Sequence, residues 1–291
     1  MKKLLVFVSF ILLFAMLLSG MVSCFEELPP PSNNEENEGG EQSGGNQNQG
    51  TPEPYTEGLA FTELSDGTYE VSRGSAVAAE NIVIPSTYNG KAVTAIAAEG
   101  FNEAVAFETE ANVIKTVTIP SSVTKIGRAA FANCVLLTEV NIPSGVTEIV
   151  RDTFANCQVL ENIVLPEGIT KIGETAFMWT AIKSIAIPST VKQIDKGAFK
   201  YCEALESIVL PSGLANIARD CFYGCCGLRY VTIPSSVTNI EKMAFFNCKA
   251  IQTITFLGTR AQWDNITKGT YWDTWTDTEY HTINYTLICN Q

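Results

Sequence analysis

Between residues 82 and 257 the apolar positions of the chain return in phase. In one copy, Leu137-x-x-Val140-x-Ile142 forms a first apolar stripe. Val140 and Ile142 alternate with polar residues, which is strand spacing. Pro143 ends that strand, because proline has no amide to donate to a ladder. A Ser144-Gly145 turn follows, and Val146-x-x-Ile149 gives a second apolar pair on the return side. Thr153, Phe154 and Cys157 then close the copy, with the spacing of one short helical turn.

The phase holds across six copies. The closing prolines are Pro120, Pro143, Pro166, Pro188, Pro211 and Pro234, in steps of 23, 23, 22, 23 and 23 residues. Phe131, Phe154, Phe177, Phe199, Phe222 and Phe245 run in parallel with them. One copy cannot bury its own apolar face, so the copies must stack. The expected fold is a β-rich solenoid of about seven coils over residues 82–257: a right-handed coil with one parallel sheet and short helical turns. An irregular leading copy carries Ile82-Val83-Ile84-Pro85 and Val93-x-x-Ile96, with an Asn89-Gly90 insertion that predicts a tight hairpin turn. Residues 55–81 read as an N-terminal capping hairpin around Ser65-Asp66-Gly67. Residues 258–291 break the period and read as a C-terminal cap, with Trp263, Trp272 and Trp275 available to cover the last coil.

The unit Leu-x-x-Ile-x-Ile-Pro-x-x-Val-x-x-Ile-x-x-x-Ala-Phe-x-x-Cys resembles the BspA-like leucine-rich repeats of bacterial surface proteins. The segment Gly258-Thr259-Arg260-Ala261-Gln262-Trp263 looks like the end of many such proteins. The resemblance implies a leucine-rich-repeat solenoid displayed outside the cell, with binding or adhesion as its role. It also implies host matrix proteins or other bacteria as partners. One departure stands out. The position where leucine-rich repeats carry an inward asparagine is here Ser122, Gly145, Gly168, Thr190, Gly213 or Ser236. The inner backbone groups must be satisfied in another way.

Five cysteines, Cys134, Cys157, Cys202, Cys225 and Cys248, share one register, each three residues after its phenylalanine. A metal array, a set of disulfides and a ladder of small buried side chains all fit five cysteines in phase. The densest group, Cys221, Cys225 and Cys226, lacks the spacing and the histidine of a zinc site. Stacked residues lie ~4.8 Å apart, inside the disulfide window, yet their Cβ vectors point the same way. The third copy, Phe177-Met178-Trp179-Thr180-Ala181, lacks the cysteine and is one residue short. Cys221 fills a slot held elsewhere by Ala130, Ala176, Ala198 and Ala244. Buried thiols are therefore the expected reading, since free cysteine packs as a small hydrophobe. No metal and no cofactor is expected.

Enzymatic chemistry has little support. His281 is the only histidine, so no nucleophile–histidine pair can be built within the repeats. Asp152, Glu174, Asp195, Asp220 and Glu241 recur once per coil, as a solvated outer face would. No glycine-rich phosphate loop is present. The expected binding surface is the sheet face, formed by Thr116, Thr118, Glu139, Asn141, Asn162, Val164, Ser184, Ser207, Arg229, Tyr230, Thr232, Thr253 and Thr255. Arg229 and Tyr230 are its candidate anchors, being residue types enriched at hot spots. The formal net charge of −12 argues against nucleic acid as a partner.

The N-terminus adds a location. Lys2 and Lys3 precede an apolar run from Leu4 to Leu18, too short to span a bilayer comfortably. Met21-Val22-Ser23-Cys24 resembles the lipobox of bacterial lipoproteins, which implies a signal peptide over residues 1–23 and lipidation at Cys24. A plain secretory signal cut near Gly20 is the alternative. Residues 24–54 hold seven acidic residues and no Lys or Arg, and read as a disordered acidic tether. Glu26 and Glu27 resemble the surface-export signal of Bacteroidetes lipoproteins. The whole describes an exported protein, lipid-anchored at the outer-membrane cell surface. Its expected function is non-enzymatic binding or adhesion to protein partners through the sheet face. The alternative is a carbohydrate-binding lipoprotein of a glycan-uptake system, using the aromatic cap.

Overall fold

The computed structural model describes residues 54–102, 113–276 and 279–290. The expected signal peptide, Cys24 and nearly all of the expected tether lie outside the described residues. Successive copies pair in parallel, one repeat apart. Lys171 stands opposite Glu148 on one side and Gln193 on the other.

The expectation of one parallel sheet needs correction, because the coils carry short strands in two separate rows. The first row holds Asn81–Val83, Thr116–Thr118 and Glu139–Val140, and later Ser207–Val209, Tyr230–Ile233, Thr253–Thr259 and Thr286–Asn290. The second row is built from the return-side pairs. It includes Glu148–Ile149 with Lys171–Ile172 and Gln193–Ile194, then Asn216–Ile217 with Asn239–Ile240 and Thr267–Lys268. The Val146-x-x-Ile149 spacing leaves just two extended residues per coil, enough for a ladder. Three pairings are antiparallel: Ala60–Glu63 with Tyr69–Ser72, Thr87–Tyr88 with Lys91–Ile96, and Thr274–Thr276 with Tyr280–Thr282. The first of these is the hairpin expected around Ser65-Asp66-Gly67. In the second, Asn89 (φ 49°) and Gly90 (φ 74°) make the two-residue turn that the sequence predicts.

The first row is interrupted. Its stretches at 162–165 and 184–187 have no strand partner. Asn141 marks the start of the break. Its side-chain amide donates to Ile119 O at 2.7 Å, and its carbonyl oxygen accepts from Ile119 N at 2.7 Å. The side chain thus satisfies the two groups that a continuing strand would have paired.

The expected helical turns are also corrected. Each corner is a run of turns with two left-handed residues, such as Asp152 (φ 59°) and Asn156 (φ 65°). Alternation between right- and left-handed residues aims every second amide at the next coil. Asp152, Phe154 and Asn156 donate to Glu174 O, Ala176 O and Met178 O at 3.0, 2.9 and 2.7 Å. A helical turn would have kept those amides within its own coil. Among the described residues one α-helix occurs, Arg260–Asp264, capped reciprocally by Thr259 and Gln262.

The repeated phenylalanines stack along the core. From Phe101 through Phe245 each ring faces the next, with Phe154 and Phe177 centred 5.7 Å apart and Phe222 and Phe245 5.1 Å apart. All are fully buried. Trp272 follows Phe245 edge-on at 6.3 Å, and the Phe245 amide donates to Trp272 O. At three of the six positions a hydroxyl stands in for the missing asparagine. Ser122 donates to Val93 O, Thr190 to Ile169 O and Ser236 to Leu214 O.

Candidate binding surfaces

The side chains between the buried positions of the first strand row face solvent. Val164 is 82% exposed, Val209 61% and Tyr230 51%, in contrast to their buried neighbours Ile163, Ile208 and Val231. Thr118, Glu139, Asn141, Asn162, Ser184 and Arg229 are exposed beside them, and Thr116, Ser207, Thr232, Thr253 and Thr255 are half-buried. All of the predicted residues except Arg229, which precedes its strand, alternate with buried ones along the row, although Asn141 is held against the backbone of Ile119. Three exposed apolar side chains of this row escaped the sequence reading, Val83, Leu257 and Ile288. Ile288 belongs to the strand Thr286–Asn290, where it pairs with Thr255 and extends the row. A depression of about 640 Å³ lies between Asn141 and Val164, at the interrupted strands. Another, of about 450 Å³, is lined by Ala186, Val209 and Leu257.

The cysteines lie beneath the corner. Cys134, Cys157, Cys202, Cys225 and Cys248 are fully buried thiols. Each donates to the phenylalanine carbonyl of the preceding coil: Cys157 Sγ to Phe131 O at 3.2 Å, and Cys248 Sγ to Phe222 O at 2.9 Å. Cys134, Cys202 and Cys225 repeat the contact with Phe101, Phe177 and Phe199. In the short coil Thr180 takes the cysteine position, so the deletion falls just after it. Its hydroxyl donates to Phe177 O, in its own coil. Burial, and then the neighbouring thiols, push Cys202, Cys221 and Cys225 well above the usual thiol range. Such thiols are poor nucleophiles.

The repeating carboxylates are not a freely solvated face. Arg151 reaches both Asp152 and Glu174, and Lys171 reaches Asp195. Glu241 accepts from Asn216 Nδ2 and Arg219 N. Asp220 is buried beside Arg219, against the expectation of an outer position. These acids tie coil to coil and do not converge on one cleft. Among the described residues, no group of three or more His, Cys, Asp and Glu is placed to hold a metal.

The tryptophans of the C-terminal segment offer little to a ligand. Trp263 and Trp272 are buried in the core, and Trp275 stacks on His281 at 4.4 Å. A different aromatic row runs from exposed Trp179 through half-buried Tyr201 and Tyr223 to buried Phe246. Trp179, Tyr201, Tyr223 and Phe246 succeed one another along the corner, with centroids 5.1, 5.3 and 5.1 Å apart. Tyr280 continues it at 6.4 Å and Tyr271 stacks on Tyr280 at 4.9 Å. Only the deletion beside Trp179 hinted at this row in the sequence.

A family model described as a BspA type leucine rich repeat region, in six copies, matches residues 103–205 and 170–282. Among solved structures, the chain is similar to a leucine-rich repeat protein from Bacteroides ovatus, with 24% identity and a TM-score of 0.60. That likeness covers 74% of this chain and 66% of the Bacteroides chain, so about a third of the latter has no counterpart here. A leucine rich repeat protein from T. pallidum is 23% identical, with a TM-score of 0.50, covering 75% of this chain and 86% of that one. No curated protein matches. The chain belongs to the BspA type leucine rich repeat family.

Proposed function

We propose that this protein is a lipid-anchored, non-enzymatic binding protein of the cell surface, and that it grips a protein partner through the first strand row. The stacked coils form one solenoid closed by the N-terminal hairpin and the C-terminal segment, and Cys24 carries the lipid. The observation that supports this reading best is the outward apolar row of Val164, Val209, Tyr230, Leu257 and Ile288. Apolar side chains this exposed, in line and framed by Thr, Ser and Asn, are features of a contact surface. Arg229 beside Tyr230 supplies an anchor pair. The alternating side-chain pitch of the row suits an extended or flat protein surface.

The partner class is an extracellular matrix protein or a protein of another cell. Surface plasmon resonance over an immobilised matrix preparation tests it. The intact chain should bind saturably, and Val209→Lys should weaken binding at least tenfold. Equal binding by the variant would remove the strand row from the account. Surface placement has its own test: external protease should strip the protein from intact cells, and Cys24→Ala should release it into the medium.

A further inference from the structure

The corner of the short coil departs from the rest of the stack. The second left-handed position of each corner is occupied by Asn133, Asn156, Gly224 or Asn247 in four coils. Asparagine and glycine are the residues that tolerate this backbone best. In two adjacent coils the same position carries Trp179 (φ 63°) and Tyr201 (φ 60°), large rings in a conformation such residues rarely adopt. Nothing in the core requires them there, because Trp179 is 46% exposed. Gly224 makes room for the arrangement: a Cβ at that position would lie 2.5 Å from the Tyr201 ring.

The missing residue of this coil opens a notch beside the rings. It has a volume of about 290 Å³ and is lined by Gln158, Trp179, Ala181, Tyr201, Glu203 and Ala204. Gln158 is the end of a chain of side-chain amides. Asn133 donates to Asn102 at 3.0 Å, Asn156 to Asn133 at 2.9 Å, and Gln158 to Asn156 at 2.8 Å. The chain fixes one amide N–H of Gln158 and orients the rest of that group. Glu203 is an exposed carboxylate on the other side.

We infer that this notch is a carbohydrate subsite, which takes one neutral pyranose ring of an oligosaccharide. The volume is near the lower end of ligand pockets, ~300 Å³, which suits a single ring. The exposed face of Trp179 offers a negative quadrupole to the electropositive C–H face of a sugar. The Glu203 carboxylate accepts from sugar hydroxyls, and the Gln158 amide can both donate and accept. The methyl groups of Ala181 and Ala204 add apolar lining without filling the space. A cationic ligand fits less well. The Lys200 ammonium already lies 4.5 Å from the Tyr223 ring centre and 5.3 Å from that of Tyr201, beside the notch. The subsite differs from the strand row proposed above for protein partners, and neither depends on the other.

The test is an array of neutral hexose oligosaccharides probed with the intact chain, followed by calorimetric titration of the strongest binder. Trp179→Asn places in this coil the residue that three other coils carry at the position, so the fold should be kept. That variant should lose binding beyond detection. Glu203→Gln, an exposed change, should weaken it roughly tenfold, the effect of one charged hydrogen bond. Val209→Lys should leave sugar binding unchanged while it weakens protein binding at least tenfold. The inference is overturned if no oligosaccharide binds, or if Trp179→Asn and Glu203→Gln bind as the wild type does.

Discussion

Replacement of Phe177 by alanine probes the stack where it has neighbours on both sides. The ring is fully buried, with centroids 5.7 Å from Phe154 and 5.4 Å from Phe199. Loss of a buried phenylalanine side chain costs about 3–5 kcal/mol, which includes the cavity left behind. Two offset ring contacts are lost at once, each about 0.5–1.5 kcal/mol beyond area burial. These contacts place the expected destabilisation near the upper end of the range, at about 4–5 kcal/mol. Coil-to-coil backbone bonds on either side, Phe177 N to Ala198 O and Phe154 N to Ala176 O, resist collapse into the space. For a body of this size the melting temperature should fall by roughly 8–20 °C. Urea unfolding followed by circular dichroism gives the free energy, and differential scanning calorimetry gives the midpoint. Val164→Ala, at an 82% exposed position, is the control and should change stability by less than about 0.5 kcal/mol. A loss below about 1 kcal/mol for Phe177→Ala would show that the stacked rings do not carry the core.

Other outcomes follow from the same geometry. Thiol reagents should leave Cys134, Cys157, Cys202, Cys225 and Cys248 unmodified in the native protein and label them all in denaturant, with half-buried Cys226 and Cys289 reacting first; mass spectrometry after timed labelling decides it. Stability should fall in alkali. Native Cys202, Cys221 and Cys225 keep protons that the unfolded chain releases, so stability is full below the ordinary thiol range and is lost as pH rises from there towards the raised native values. Three such groups give a slope of about 4 kcal/mol per pH unit above about pH 9, measurable by urea titrations at successive pH values. A flat profile to pH 10.5 would mean that these thiols ionise in the native state. Gly224→Ala combines a left-handed backbone (φ 75°) with a Cβ 2.5 Å from the Tyr201 ring, and should cost about 1–3 kcal/mol in the same assay.

The sequence was informative where a residue type has one structural use. Asn89-Gly90 marked a two-residue hairpin, and the phased phenylalanines marked the core. Cysteine in an alanine slot marked burial. The corners were harder to read, because their left-handed residues include Ala129, Thr175 and Met243, which carry no turn signal. Asn141 was read as a face residue, although it serves the backbone of the neighbouring coil. That contact joins residues 22 apart, so no local pattern announces it. The second strand row was hidden because two extended residues per coil fall below the length at which alternation shows. Trp179 and Tyr201 were visible as letters, but their exposure depends on where the deletion falls relative to Thr180. The strand-row residues could be placed from their phase alone, since side chains alternate along a strand. Their exposed continuation through Leu257 and Ile288 depends on a pairing beyond the last regular repeat.

The most direct test of the proposed function is the affinity of the intact chain for an immobilised matrix protein, measured beside the double variant Val164→Lys with Val209→Lys. Both positions are more than half exposed, so the fold should survive, as circular dichroism will show. Two charges buried without partners at an interface centre should reduce affinity by a hundredfold or more. Loss of binding by this variant, with binding retained by Trp179→Asn, is the predicted result. Undiminished binding by the double variant would contradict the claim that the strand row is the gripping surface.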